Sequence, residues 1–253
     1  LPPQAIDGWP THAHHLSMSF SSFQFPSSRP VTVGSAGDTN TLVSCKSNSL
    51  AEECEMLEIR LDLLHQENPR YNSNLWQHLR DTPLLFTARC RSEGSPIDLD
   101  VATRQRLLQE ALPSAAVIDI EVANIVVMGD LLKEIKDAKI PWIASYHDFV
   151  NLPSRHQLET QAEIARTAGA AAFKCAAQLT TVRDLADLAD FQMSDQGIPL
   201  ATMGMGALAP VSRMLCAQAG SVLNYGYIGT TETAPGQWSA KQLREAIRSL
   251  SQL

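Results

Sequence analysis

From residue 41 onward, short apolar runs rich in β-forming residues alternate with longer segments whose apolar positions recur at three and four. Eight candidate strands follow from this rhythm: TLVSCK at 41–46, LEIRL at 57–61, PLLFTA at 83–88, AAVIDI at 115–120, WIASY at 142–146, AAAFK at 170–174, PLATM at 199–203 and LNYGYI at 223–228. Between them lie amphipathic stretches such as MGDLLKEIKDAK, QLETQAEIARTAG, TTVRDLADLADFQ and SAKQLREAIRSLSQ. Strands that are apolar throughout suit a parallel sheet covered on both faces, and eight βα units without a long linker predict a closed (β/α)8 TIM barrel of the α/β class. No glycine-rich dinucleotide fingerprint follows the first candidate strand, which argues against an open doubly wound sheet.

Two regions divide the chain on this reading: an N-terminal extension over 1–40, either a cap on the barrel bottom or disordered, and a catalytic barrel over 41–253. Alternating apolar positions in LSMSFSSFQF allow a short strand or hairpin within the extension. His12, His14 and His15 cluster there without cysteine or carboxylate partners at ligand spacing, so they read as a surface segment rather than a metal site. The net charge of -7, with Lys and Arg scattered along the chain, excludes a nucleic-acid surface. No apolar run reaches the ~20 residues of a membrane span. Cys45, Cys54, Cys90, Cys175 and Cys216 show no metal or disulfide spacing and read as reduced thiols of a cytoplasmic protein.

Reactive groups of such a barrel sit at the C-terminal ends of its strands. Lys174 stands alone in AGAAAFKCAA at the expected end of strand six, where burial would favour the free amine that attacks carbonyls. His147 ends strand five, so a proton shuttle and an amine should share one mouth. Glu93, in the loop after strand three, is placed to orient that imidazole. Glu58, Arg60 and Asp62 alternate along strand two and should face one side, which in a packed interior calls for partners or a polar ligand. Arg89 and Arg213 are candidates for gripping a carboxylate, and Thr233 to Gln237 form a turn able to close over a small molecule.

In order, EIRLD, FTARCRSEG, IASYHDF, FKCAA, MGMGALAPVSR, GSVLNYGYI and TAPGQ resemble the successive motifs of the type I 3-dehydroquinate dehydratases, over about residues 41–253. The resemblance implies a hydro-lyase of the shikimate route that converts 3-dehydroquinate to 3-dehydroshikimate without metal or organic cofactor, as a homodimer. It assigns imine formation to Lys174, proton transfer to His147 and its support to Glu93. Glu58, Arg60 and Arg89 would hold ring hydroxyls, Arg213 the carboxylate, Thr233 and Gln237 further substrate contacts, and Met203, Met205 and Tyr225 the pocket wall. The chain departs from the family at three places: Ser95 stands where glycine is common, Thr233 where serine is, and Tyr225 where phenylalanine is. Two other readings compete: another Schiff-base barrel lyase of the class I aldolase type, and a barrel that binds a ligand without catalysis.

Overall fold

The strands of the computed structural model are β1 (Val31–Ala36), β2 (Met56–Arg60), β3 (Leu84–Thr87), β4 (Val117–Glu121), β5 (Trp142–Asp148), β6 (Ala172–Gln178), β7 (Leu200–Met205) and β8 (Leu223–Tyr227). The helices are α1 (Thr39–Ser44), α2 (Ser47–Glu53), α3 (Leu61–Glu67), α4 (Val101–Ala111), α5 (Gly129–Asp137), α6 (Arg155–Thr167), α7 (Val182–Met193), α8 (Ala209–Gln218) and α9 (Ala240–Leu250). Residues 23–25, 29–230 and 232–250 are described; the histidine cluster at 12–15 lies outside them.

All strand pairs are parallel, in the order β7-β6-β5-β4-β3-β2-β1-β8. The seam between the two end strands is bridged where the Val222 N–H donates to the Leu200 carbonyl at 2.9 Å, while the Val31 N–H reaches the Val222 carbonyl at the same distance. The sheet is therefore a nearly closed (β/α)8 barrel with helices outside it, as the alternation of runs predicts.

The first strand is a correction. TLVSCK at 41–46, expected as strand one, lies largely in helix α1, and the strand is VTVGSA at 31–36. Asp38 caps the helix, its carboxylate accepting from the Thr41 N–H at 2.8 Å and the Thr41 hydroxyl at 2.6 Å, and only Leu42 of that helix is buried. Every residue of β1 is buried, and the strand pairs with both β2 and β8. The barrel thus begins at Val31, ten residues before the expected boundary, and the expected extension over 1–40 overlaps it.

The other seven strands fall where expected, with shifted ends. β6 runs four residues beyond Lys174, and β5 one beyond His147, because parallel pairing between them continues from Ile143–Ala172 to Asp148–Ala177. Lys174 is thus inside the barrel rather than at its rim. The expected E-x-R-x-D face of strand two is also cut short: β2 stops at Arg60, and Asp62 lies in the first turn of α3.

Alternation sorts the barrel interior into tiers. The lower tier is apolar, with Val33, Met56, Leu85, Val117, Ile143 and Leu223 among its buried members, and Phe23 and Phe25, edge to face with each other, pack against it. One step along the strands the interior becomes polar: Ser35, Glu58, Thr87, Asp119, Ser145 and Lys174 are all buried. A sheet interior of this kind is stable only if each charge finds a partner.

Candidate active site

Lys174 and Asp119 are those partners. The lysine Nζ donates to Asp119 Oδ2 at 2.7 Å, and the ring of Tyr225 covers the same nitrogen at 4.4 Å from its centroid. Asp119 Oδ1 receives the Ser145 hydroxyl at 2.6 Å and Arg89 Nη1 at 2.9 Å. Arg89 Nη1 also meets Glu121 Oε1 at 3.2 Å, and the second oxygen of Glu121 is taken by Arg104 from helix α4. Cations and anions therefore alternate from α4 to the lysine: Arg104, Glu121, Arg89, Asp119, Lys174. Burial alone would raise the Asp119 pKa, but Arg89 and Lys174 outweigh it and hold the carboxyl far below its usual range.

One pleat step above Lys174, His147 and Glu93 form a second unit. Strand register sets Ser145 level with Lys174 and His147 level with Ala176. Glu93 ends a 3₁₀ turn at Arg91–Glu93 whose cap, Gly94, has φ of +102°. A Cβ there would lie 2.4 Å from the Phe149 ring, so glycine answers both a backbone and a packing demand. Glu93 Oε2 receives the His147 backbone N–H at 3.0 Å and lies 2.9 Å from its Nδ1. Assigning the Nδ1 proton to that bond leaves Nε2 as the free basic nitrogen. Burial, joined by the charges of Arg89 and Lys174, keeps the His147 pKa well below its usual value, so the ring is neutral near pH 7. Burial pushes the Glu93 pKa up to about 8 against the pull of Arg89.

The remaining wall is built from β7, β8 and β2 and the segments that follow them. Arg213, in α8, donates from Nη1 to the Tyr225 carbonyl at 2.8 Å and contacts Met203 Sδ at 3.4 Å. Among the described residues no carboxylate balances it and its Nε has no partner, and burial draws its pKa down to about 10. A buried guanidinium of this kind is an open receptor for an anion. Glu58 accepts from Ser35 Oγ at 2.5 Å and Thr87 Oγ1 at 2.8 Å, and Arg60 makes a two-pronged bond to Asp62 at 2.9 and 2.7 Å. Gln237 Oε1 receives both the N–H and the hydroxyl of Thr233, shaping the turn over the mouth.

Of the residues singled out from the sequence, Lys174, His147, Glu93, Glu58, Arg60, Arg89, Arg213, Thr233, Gln237, Met203, Met205 and Tyr225 line one cavity of about 170 Å³, and Asp62 is not part of its lining. A wider hollow of about 450 Å³ between α1 and residues 68–78 has a mostly exposed polar lining and none of these buried charges. Sequence reasoning missed Asp119, Glu121, Ser145 and Arg104. The signal was present in VIDIE, where two acids alternate in an otherwise apolar strand as Glu58 and Arg60 do in β2. Among the described residues no group of His, Cys, Asp and Glu is arranged to hold a metal ion, and no helix is long and apolar enough to cross a membrane.

Fold and site together define a barrel enzyme whose mouth holds a buried lysine amine and an imidazole in one cavity. The sequence matches the family described as type I 3-dehydroquinase over residues 36–253, and the chain belongs to that family. It is 32% identical over 224 residues to 3-dehydroquinate dehydratase of Methanothrix thermoacetophila, covering 87% of this chain and 92% of that one. It is 29% identical over 210 residues to the catabolic 3-dehydroquinate dehydratase of Acinetobacter baylyi, with 79% and 77% covered. The crystal structure of 3-dehydroquinate dehydratase from Geobacillus kaustophilus superposes with a TM-score of 0.78 at 24% identity, covering 88% of this chain and 91% of that one, which speaks for the fold.

Proposed function

We propose that the protein dehydrates 3-dehydroquinate to 3-dehydroshikimate through a Schiff base on Lys174, with His147 as the proton-transfer group. The observation that carries this reading is the buried Lys174 amine in the same cavity as the neutral His147–Glu93 pair and the Arg213 guanidinium. Lys174 attacks the C3 ketone, and loss of water gives an iminium that acidifies the C2 proton. The free Nε2 of His147 takes that proton, and the electron pair left behind forms an enamine. Collapse of the enamine makes the C1–C2 double bond and expels the C1 hydroxyl, which takes the proton from His147 and departs as water. Hydrolysis of the imine then releases product and restores the amine.

Arg213 supplies the charge for the substrate carboxylate, and its unused Nε is available for a two-point contact. Glu58 and Arg60 face the ring hydroxyls, while Arg89 acts mainly by organising Asp119 and Glu121. Met203, Met205 and the Tyr225 ring exclude water from the imine; Thr233 and Gln237 close the mouth. The reading includes action in the shikimate route, in the cytoplasm, as a homodimer.

Incubation with 3-dehydroquinate should produce the ultraviolet absorption of a conjugated enone acid, and borohydride added during turnover should leave a stable adduct on the Lys174 peptide. Aldol cleavage of ketoses without enone formation would favour the aldolase reading, and turnover without an adduct at Lys174 would exclude the imine.

A further inference from the structure

Tyr225 carries a group that the proposed chemistry does not yet use. Its side chain is buried, it lines the cavity, and its hydroxyl has no hydrogen-bond partner among the described residues. A buried donor left unpaired costs more than a made bond returns, so such a group in a ligand cavity points to a partner that arrives with the ligand. The rest of the residue is fully employed: the ring face covers Lys174 Nζ, and the backbone carbonyl holds Arg213 Nη1. Only the phenol oxygen is free.

Its surroundings define what it would meet. β1 lies between β2 and β8, with Val33 level with Tyr225 and Ser35 level with Glu58, so Tyr225 and Glu58 stand on either side of one strand, a pleat step apart, and both line the cavity. Glu58 accepts from Ser35 and Thr87 and has nothing but acceptor capacity to offer. Tyr225 brings a donor. Burial, reinforced by the charges of Glu58 and Asp119, keeps the phenol protonated far beyond neutral pH. An alcohol, which both accepts and donates, satisfies the two together; a carboxylate or a methylene does not.

We infer that the Tyr225 hydroxyl is a specificity-determining substrate contact, donating to a ring hydroxyl of the substrate that in turn donates to Glu58. This rests on the proposed dehydration of 3-dehydroquinate, whose ring carries hydroxyls at C4 and C5. It gives Tyr225 a role beyond that of a pocket wall.

The test compares wild type with Tyr225→Phe, which deletes one oxygen and keeps both the ring over Lys174 and the backbone carbonyl. Three substrates are used: 3-dehydroquinate and its 4-deoxy and 5-deoxy analogues, followed by kcat and KM, or by the rate of borohydride trapping where turnover is slow. Tyr225→Phe should lose about three- to tenfold in kcat/KM on 3-dehydroquinate, the range of one neutral hydrogen bond. It should lose nothing on whichever analogue lacks the contacted hydroxyl. Its melting temperature without substrate should stay level or rise, because the deleted oxygen bonds to no group among the described residues. An equal loss on all three substrates, no loss on 3-dehydroquinate, or a melting temperature lowered by several degrees would overturn the inference. Wild-type protein that fails to turn over 3-dehydroquinate would instead defeat the functional reading on which it stands.

Discussion

Replacing Asp119 with Asn should unsettle the barrel interior in a way that a paired replacement of Lys174 largely cancels. The side chain of Asp119 has no solvent exposure and accepts from Lys174, Arg89 and Ser145. Asn keeps the shape but loses the charge, and one oxygen becomes a donor facing cations. Arg89 retains Glu121 at 3.2 Å and Ser145 at 2.7 Å, so the loss falls on Lys174, whose one ionic partner among the described residues is Asp119. Breaking a buried pair on one side costs about 3–5 kcal/mol, and with ~2–4 °C per kcal/mol for a chain of this size the melting temperature should fall by roughly 6–20 °C. Lys174→Met leaves Asp119 its bonds to Arg89 and Ser145 and should cost less. In the double variant, Asp119→Asn removes a charge that no longer has a lysine to serve, so its cost should shrink by about 2 kcal/mol or more. Urea denaturation of the four proteins at pH 7 measures the coupling. Additivity within about 0.5 kcal/mol would show that the two side chains do not interact as described.

Glu93 makes a prediction about pH. Its carboxyl titrates near 8 in the fold against an ordinary 4.5, so the folded state holds a proton that the unfolded chain has released. The contribution of Glu93 to stability is whole below pH 4.5 and declines as pH rises toward 8, by up to ~1.4 kcal/mol per pH unit. The stability of wild type relative to Glu93→Gln should therefore fall across that window in urea titrations; a constant difference would contradict the shift. Arg213→Lys should raise KM about tenfold or more with a smaller change in kcat, because an ammonium lacks the fork that meets a carboxylate at two points; an unchanged KM would move the carboxylate elsewhere. Gly94→Ala forces a Cβ 2.4 Å from Phe149 at a positive φ, and about 1–3 kcal/mol of lost stability together with reduced kcat is expected; wild-type behaviour in both would detach the Glu93 turn from the site.

Most of the site was legible because its residues punctuate apolar strands, where a charge is conspicuous. Lys174 in a run of alanines and His147 after WIASY fall in this group. The first strand was not legible, since VTVGSA follows a stretch rich in Ser and Pro and a nearby run, TLVSC, has equal β character; what decides between them is the Asp38 cap, whose energy is local, and pairing to β2 and β8, which is not. Asp119 and Glu121 were readable by the alternation applied to strand two. Arg104 was harder. It occupies the buried face of α4 with Leu107, Leu108 and Ala111, a helical apolar stripe in which an arginine is easily taken for a surface residue until the partner carboxylate is seen.

Arg104, Arg89 and Lys174 against Glu121 and Asp119 leave the row with one surplus positive charge when the lysine is protonated. In the proposed chemistry an iminium carries that same single charge on the same nitrogen and retains an N–H for Asp119. Passing from that ion pair to the covalent intermediate would then ask for almost no rearrangement of the surrounding dipoles, because the electrostatic surroundings built by folding are already those of the intermediate. A substitution on the outer helix α4, far from the mouth, would accordingly register as a change in the chemistry of Lys174.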